Sequence, residues 1–139
     1  MQRIVIDTNV IVSALIGSSY PAQIIYNIVL SRKALMCISS EVFAEYNKVL
    51  HRERFSKYTN FVTNAEIVLN KIDELSMQFI PFQKISIIKD EPDNRFLELG
   101  ITANAGFLIT GNHKHFKLSE YGLMKIVNPQ DYIANYYKE

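Results

Sequence analysis

The run Arg3-Ile-Val-Ile6 has three successive apolar residues with no polar partner alternating between them, and Asp7 closes it. Neighbouring side chains of a strand point to opposite faces, so a continuous apolar run needs cover on both. That favours a parallel sheet sheathed by helices over a half-solvated antiparallel one. The rest of the chain supplies the helices. Pro21 falls in the first turn of a helix whose Ile24, Ile25, Ile28 and Val29 make an apolar stripe. Ala34–Ser39 ("ALMCIS") reads as a second strand, after which Ser39 or Ser40 caps a helix buried through Val42, Tyr46, Val49 and Leu50. Thr63-Asn-Ala-Glu66 has the form of a capping box, opening a helix that runs to about Ser76. Ile85–Ile88 ("ISII") is a third strand, preceded by a weaker candidate in "QFIPF". Asp93 then caps a helix with Phe96, Leu97 and Ile101 inward. Phe107–Thr110 and Lys125–Val127 are the last strands, and "NPQDYIANYY" closes the chain as a helix with Pro129 at its start. Strands alternating with helices predict an α/β fold with a mainly parallel sheet.

The 139 residues suit one domain, residues 1–139, with no repeat, low-complexity tract or linker to divide it. Fifteen basic against fourteen acidic residues leave a net charge of +1, which neither points to nucleic acid nor excludes it, since binding depends on local patches. Cys37, the single cysteine, sits in an apolar run as a small core residue. Without a partner for it, no internal disulfide is expected, in keeping with a reducing cytoplasm. No apolar stretch is long enough for a bilayer, and no signal-peptide pattern opens the chain, so a soluble cytoplasmic protein without membrane association is expected.

Ligands of open parallel sheets bind beyond the carboxyl ends of the strands. On this reading Asp7, Asp90 or Asp93, and Asn112 gather at one edge of the sheet. Glu45 lies at the border of the apolar stripe of its helix, where it can lean over that edge; Glu41 lies further toward solvent. Taken singly, each has an ordinary explanation: Asp7 and Asp93 as helix caps, Thr8 and Asn9 as turn formers, Asp90 and Asn112 as loop residues. Their common location is what carries weight. Carboxylates brought together repel and lose hydration unless a cation neutralises them, and oxygen donors without a His or Cys cluster suit Mg²⁺ or Mn²⁺.

Four blocks, in order, resemble the PIN-domain family, in its bacterial toxin–antitoxin branch. They are "VIDTNVIVSAL", "SSEVFAEYNKVLHRERF", "DEPDNRFLELGITANAGFLITGN" and "YGLMKIVNPQDYI". The resemblance spans nearly the whole chain. It implies a three-layer α/β/α sandwich and a Mg²⁺- or Mn²⁺-dependent endoribonuclease acting on single-stranded RNA. Metal-binding acids carried over from the family are Asp7, Glu45 and Asp93. The fourth family acid is replaced by Asn112, with Asn9, Asp90 and Thr110 in support. It also implies an antitoxin partner and a homodimer.

The stretch Tyr46–Tyr58 carries Lys48, Arg52, Arg54 and Lys57 interleaved with Tyr46, Phe55 and Tyr58, which suits either a single-strand RNA track or the exposed end of an amphipathic helix with its apolar residues in the core. Lys114, between His113 and His115 beside Asn112, suits either contact with phosphates or an ordinary loop. Asn112 keeps an acceptor oxygen but loses a charge, so a catalytically weakened or inactive module that binds RNA or a protein partner is the competing expectation. Other phosphate enzymes fit worse: position 9 is Asn where a haloacid-dehalogenase-like phosphatase wants a second acid, and no Gly-rich loop ends in Gly-Lys-Ser/Thr.

Overall fold

The computed structural model describes residues 1–89, 91–111 and 118–138. It is a three-layer α/β fold built on a six-stranded sheet in the order β3-β2-β1-β4-β6-β5. The strands are β1 (Arg3–Ile6), β2 (Leu35–Ile38), β3 (Met77–Gln78), β4 (Phe107–Ile109), β5 (Glu120–Tyr121) and β6 (Met124–Val127). All neighbours run parallel except β5, which turns back onto β6 through Gly122 at φ 61°. As its composition required, β1 lies at the centre, and Ile4, Val5 and Ile6 are completely buried. The chain lays β2 and β3 on one side of β1, then crosses over to lay β4 and β6 on the other.

Helix α1 (Thr8–Ile16) follows β1 directly and ends at Gly17, whose φ of 110° suits a residue without a Cβ. A short α2 (Ser19–Ala22), with Pro21 buried in it, widens into π-helical turns over Gln23–Val29 that bury Ile24, Ile25, Ile28 and Val29. Helix α3 (Ser40–Leu50) is capped by Ser39, whose hydroxyl accepts from the Val42 amide at 3.2 Å, and it buries the four expected residues. Helix α4 (Phe61–Leu75) packs on α1, α3 and β2. Helix α5 (Glu91–Ala103) lies over β1, β2 and β4 and against α3. It comes so close to the sheet that a Cβ on Gly100 would run into Met124 Sδ. Asn128 caps α6 (Pro129–Asp131), and the turns after it seat Tyr132 against Phe107, with its hydroxyl donating to Gln2 Oε1 at 2.6 Å.

Four local expectations are corrected. Ile85–Ile88 is not a strand: its backbone is held by side chains of α5 instead of by a neighbouring strand. The Ile85 amide donates to Glu98 Oε2 (2.6 Å), and Arg95 donates to the Ile85 carbonyl (3.0 Å). Asn94 both accepts from the Ile88 amide (2.8 Å) and donates to its carbonyl (2.6 Å). In "QFIPF" only Gln78 joins the sheet, paired with Ile38. The capping box at Thr63–Glu66 is not formed, because α4 begins earlier, behind Asn60 at φ 62°, and Glu66 instead pairs with His51. Asp93 does not cap α5, which starts at Glu91; it stands in the first turn.

Candidate active site

The switch in direction of the chain falls between β1 and β4, where the connections leave toward opposite sides and a crevice opens at the carboxyl ends. Both rims are polar. The Asp7 amide donates to the Ile109 carbonyl at 2.9 Å, prolonging the β1–β4 ladder by one bond. Thr110, fully buried, donates its hydroxyl to Asp7 Oδ2 at 2.7 Å and its amide to the Val127 carbonyl at 2.9 Å. Asp7 occupies the N-cap position of α1, yet its side chain makes no capping bond. Capping therefore does not explain this carboxylate, which is 7% exposed. Asn9 accepts from the Gly111 amide at 3.2 Å, tying the start of α1 to the turn after β4.

Tyr46 reaches the same strand end from α3. Completely buried, it donates its hydroxyl to the Ile6 carbonyl at 2.5 Å, one peptide before Asp7. Burial, with the Asp7 charge adding to it, drives this phenol well above its ordinary pKa, so it stays a neutral donor. Its ring lies on Phe96 of α5, centroids 6.3 Å apart. Tyr46 is thus the core residue its apolar stripe predicted, and of the two readings of Tyr46–Tyr58 the buried one holds at this position. One residue along, Glu45 is partly exposed, at the border position its helical phase gave it. Asp93 is 5% exposed and reaches the crevice from the first turn of α5.

Asp7, Glu45 and Asp93 line one open cleft of about 350 Å³, together with Thr8, Asn9, Val12, Val49, Arg52, Arg54, Phe55, Pro92 and Phe96. Lys57 is not in that lining; its ammonium lies 5.6 Å from the Tyr58 ring. Asp90, Asn112, His113, Lys114 and His115 lie outside the described residues. Among the described residues no three His, Cys, Asp or Glu side chains form a ready metal cage. The donor set still fits a hard cation. It is all oxygen, two of the carboxylates are nearly buried, and Mg²⁺ commonly binds through one or two carboxylates while keeping waters. Sequence reasoning missed the Tyr46 hydroxyl. The available signal was a phenol on an otherwise apolar helix face, since a buried tyrosine needs a partner for its O–H.

Residues 3–114 match the family model described as PIN domain. The chain belongs to the PIN-domain family. An uncharacterized protein of the archaeon Methanocaldococcus jannaschii is 24% identical over 145 residues, covering 98% of this chain and 92% of the relative. Among solved structures, the PIN-domain chain resembles one in VapBC2 from Rickettsia felis bound to a DNA fragment from their promoter. The TM-score is 0.57 at 18% identity, over 91% of this chain and 98% of that one. That likeness establishes a shared fold. One relative is archaeal and the structural neighbour bacterial, so the family stands without a bacterial branch being assigned. Among the described residues no helix is long and apolar enough to cross a membrane.

Proposed function

We propose that this PIN-domain protein is a divalent-metal-dependent endoribonuclease of the cytoplasm that cleaves single-stranded RNA, the toxin half of a toxin–antitoxin pair. The observation that carries the reading is the convergence of Asp7, Glu45 and Asp93, from β1, α3 and α5, on one cleft at the sheet's switch point. PIN domains are generally nucleases, and the structural neighbour is a VapBC2 assembly, which supports an antitoxin as partner. In this reading Asp7 and Asp93 hold Mg²⁺ or Mn²⁺, and Glu45, at the more exposed rim, completes the shell or orients the attacking water. When bound, the cation polarises a phosphoryl oxygen and lowers the pKa of water for in-line attack. Thr110 orients the Asp7 carboxylate through its bond to Oδ2; Asn9 orders the turn beside it, and Asp90 is assigned a supporting role. Arg52 and Arg54 face the RNA strand, with Lys57 and Lys114 extending the track and a second copy of the chain completing a homodimer.

Asn112 favours a second reading, a module that binds RNA or a protein without cutting it, because a charge is missing where the family carries an acid. A mixed single-stranded RNA pool incubated with Mn²⁺, Mg²⁺ or EDTA decides between them. Metal-dependent cleavage that is lost in Asp7→Asn supports the nuclease. No cleavage above that control puts the binding module first. Asn112→Asp is expected to tighten Mn²⁺ binding, and unchanged affinity would remove Asn112 from the metal shell.

A further inference from the structure

The lining of the cleft includes the outer part of a stack that the acid chemistry does not use. Phe61, buried at the start of α4, lies nearly parallel to Phe55, centroids 5.2 Å apart and planes inclined by 22°. On Phe55, in turn, lies the guanidinium of Arg54, its Cζ 4.8 Å from the ring centroid. Phe55 and Arg54 both line the cleft that holds Asp7, Glu45 and Asp93, and Arg54 is exposed. A short 3₁₀ turn, Glu53–Phe55, carries both residues, and the Ser56 hydroxyl donates to the Glu53 carbonyl at 2.6 Å to hold it. The layers therefore run from a buried ring through a half-buried ring to a planar cation at the cleft.

We propose that this Phe61–Phe55–Arg54 stack is a nucleobase subsite, on which an unstacked base of a single strand lies against the Arg54 guanidinium. A guanidinium plane accepts a base face irrespective of base identity, whereas an ammonium offers only a point charge. The two aromatic layers fix the plane in advance, so less side-chain freedom is lost when the base arrives. Arg52, beside it in the same lining, is then left for the adjoining phosphate. A base in a duplex has both faces occupied by its neighbours, so the subsite selects single strands. The inference rests on the reading of the cleft as a nucleic-acid site, and it supplies the feature by which that site would tell one strand from two.

The test is binding of a fluorescein-labelled ten-nucleotide single-stranded RNA in EDTA, where no strand is cut by a metal-dependent route. A ribose-phosphate strand of the same length without bases, and an RNA duplex, serve as comparison probes. Wild type, Arg54→Lys, Arg54→Ala and Phe55→Leu are compared at matched thermal stability. Arg54→Lys is expected to weaken the single strand on the order of tenfold, close to Arg54→Ala, because charge without a plane does not stack. The baseless strand should bind weakly and be indifferent to Arg54→Lys. Phe55→Leu should weaken the single strand by a smaller factor. Wild-type affinity in Arg54→Lys, or equal affinity for the baseless strand, overturns the subsite. Because the readout needs neither metal nor cleavage, cutting that persists in Asp7→Asn would sink the nuclease reading and leave this one standing.

Discussion

The two approaches to the cleft are built in opposite ways. At the ends of β1 and β4, Asp7 and Thr110 are held by the continued ladder, by each other and by Tyr46, all within the sheet and its first neighbours. On the other side, the strand-like segment before α5 pairs with no strand among the described residues, and side chains of Glu98, Arg95 and Asn94 hold its backbone. Its apolar residues are largely outside, with Ile80 and Phe82 exposed and Ile85 buried. The first design couples the position of an acid to the most stable part of the molecule. The second ties an irregular segment to the packed helix α5 through a few polar contacts, so loosening of that segment need not disturb the sheet. Local stability of this uneven kind is what native proteins show at sites that rearrange around a ligand.

Breaking the side-chain clamp should have the largest effect on stability. Glu98→Ala strips Arg95 of a 2.8 Å ion pair and the Ile85 amide of its acceptor. A cost of about 3 kcal/mol is expected, at the low end for a buried pair because Arg95 keeps some exposure. For a chain of this size that lowers the thermal midpoint by about 9 °C. In hydrogen exchange, residues 79–89 should lose protection before β1 does; equal loss in both would mean that the segment and the sheet open as one unit.

Thr110→Val sharpens the other half. It preserves shape in a fully buried position and removes the donor to Asp7 Oδ2. The expected signature is a roughly 10- to 100-fold loss of Mn²⁺ affinity or cleavage, with only about 1 kcal/mol of stability. A loss of stability with unchanged metal affinity would make Thr110 a core residue and nothing more.

The smallest effect should come from His51. It donates from Nδ1 to the Asn47 carbonyl at 2.7 Å, contacts Glu66 of α4, and has its pKa raised chiefly by that carbonyl and then by Glu66. A raised folded-state value means the stabilisation is present below the ordinary imidazole range and fades as pH climbs through the raised one. Both side chains are well exposed, so about 0.5 kcal/mol or less is at stake. The midpoint difference between wild type and His51→Asn should therefore be near 1 °C at pH 6 and vanish by pH 9, as scanning calorimetry can follow.

Much of this was legible in the sequence, for physical reasons. The apolar runs at Arg3–Ile6, Leu35–Ile38, Phe107–Ile109 and Met124–Val127 are strands because nothing but a covered sheet buries them. Asp7 and Glu45 were placed by strand end and helical phase. Ile85–Ile88 misled because "ISII" satisfies strand composition, while strand pairing depends on a vacant neighbour that composition does not record. The antiparallel β5 was missed because two residues, Glu120 and Tyr121, are too short to show a period. Thr63–Glu66 misled in the same way as "ISII": a capping box is a local pattern, and Phe61, buried against Phe55, starts the helix earlier by packing.

The most direct test of the central claim is a Mn²⁺ titration of wild type and Asp7→Asn by calorimetry, with thermal stability measured alongside. Wild type should bind saturably, and the variant at least tenfold more weakly with an unchanged midpoint, since Thr110 can still donate to the asparagine oxygen. Equal affinity in the two proteins would contradict that claim, and would mean that the carboxylate at the switch point of the sheet is not there for a metal.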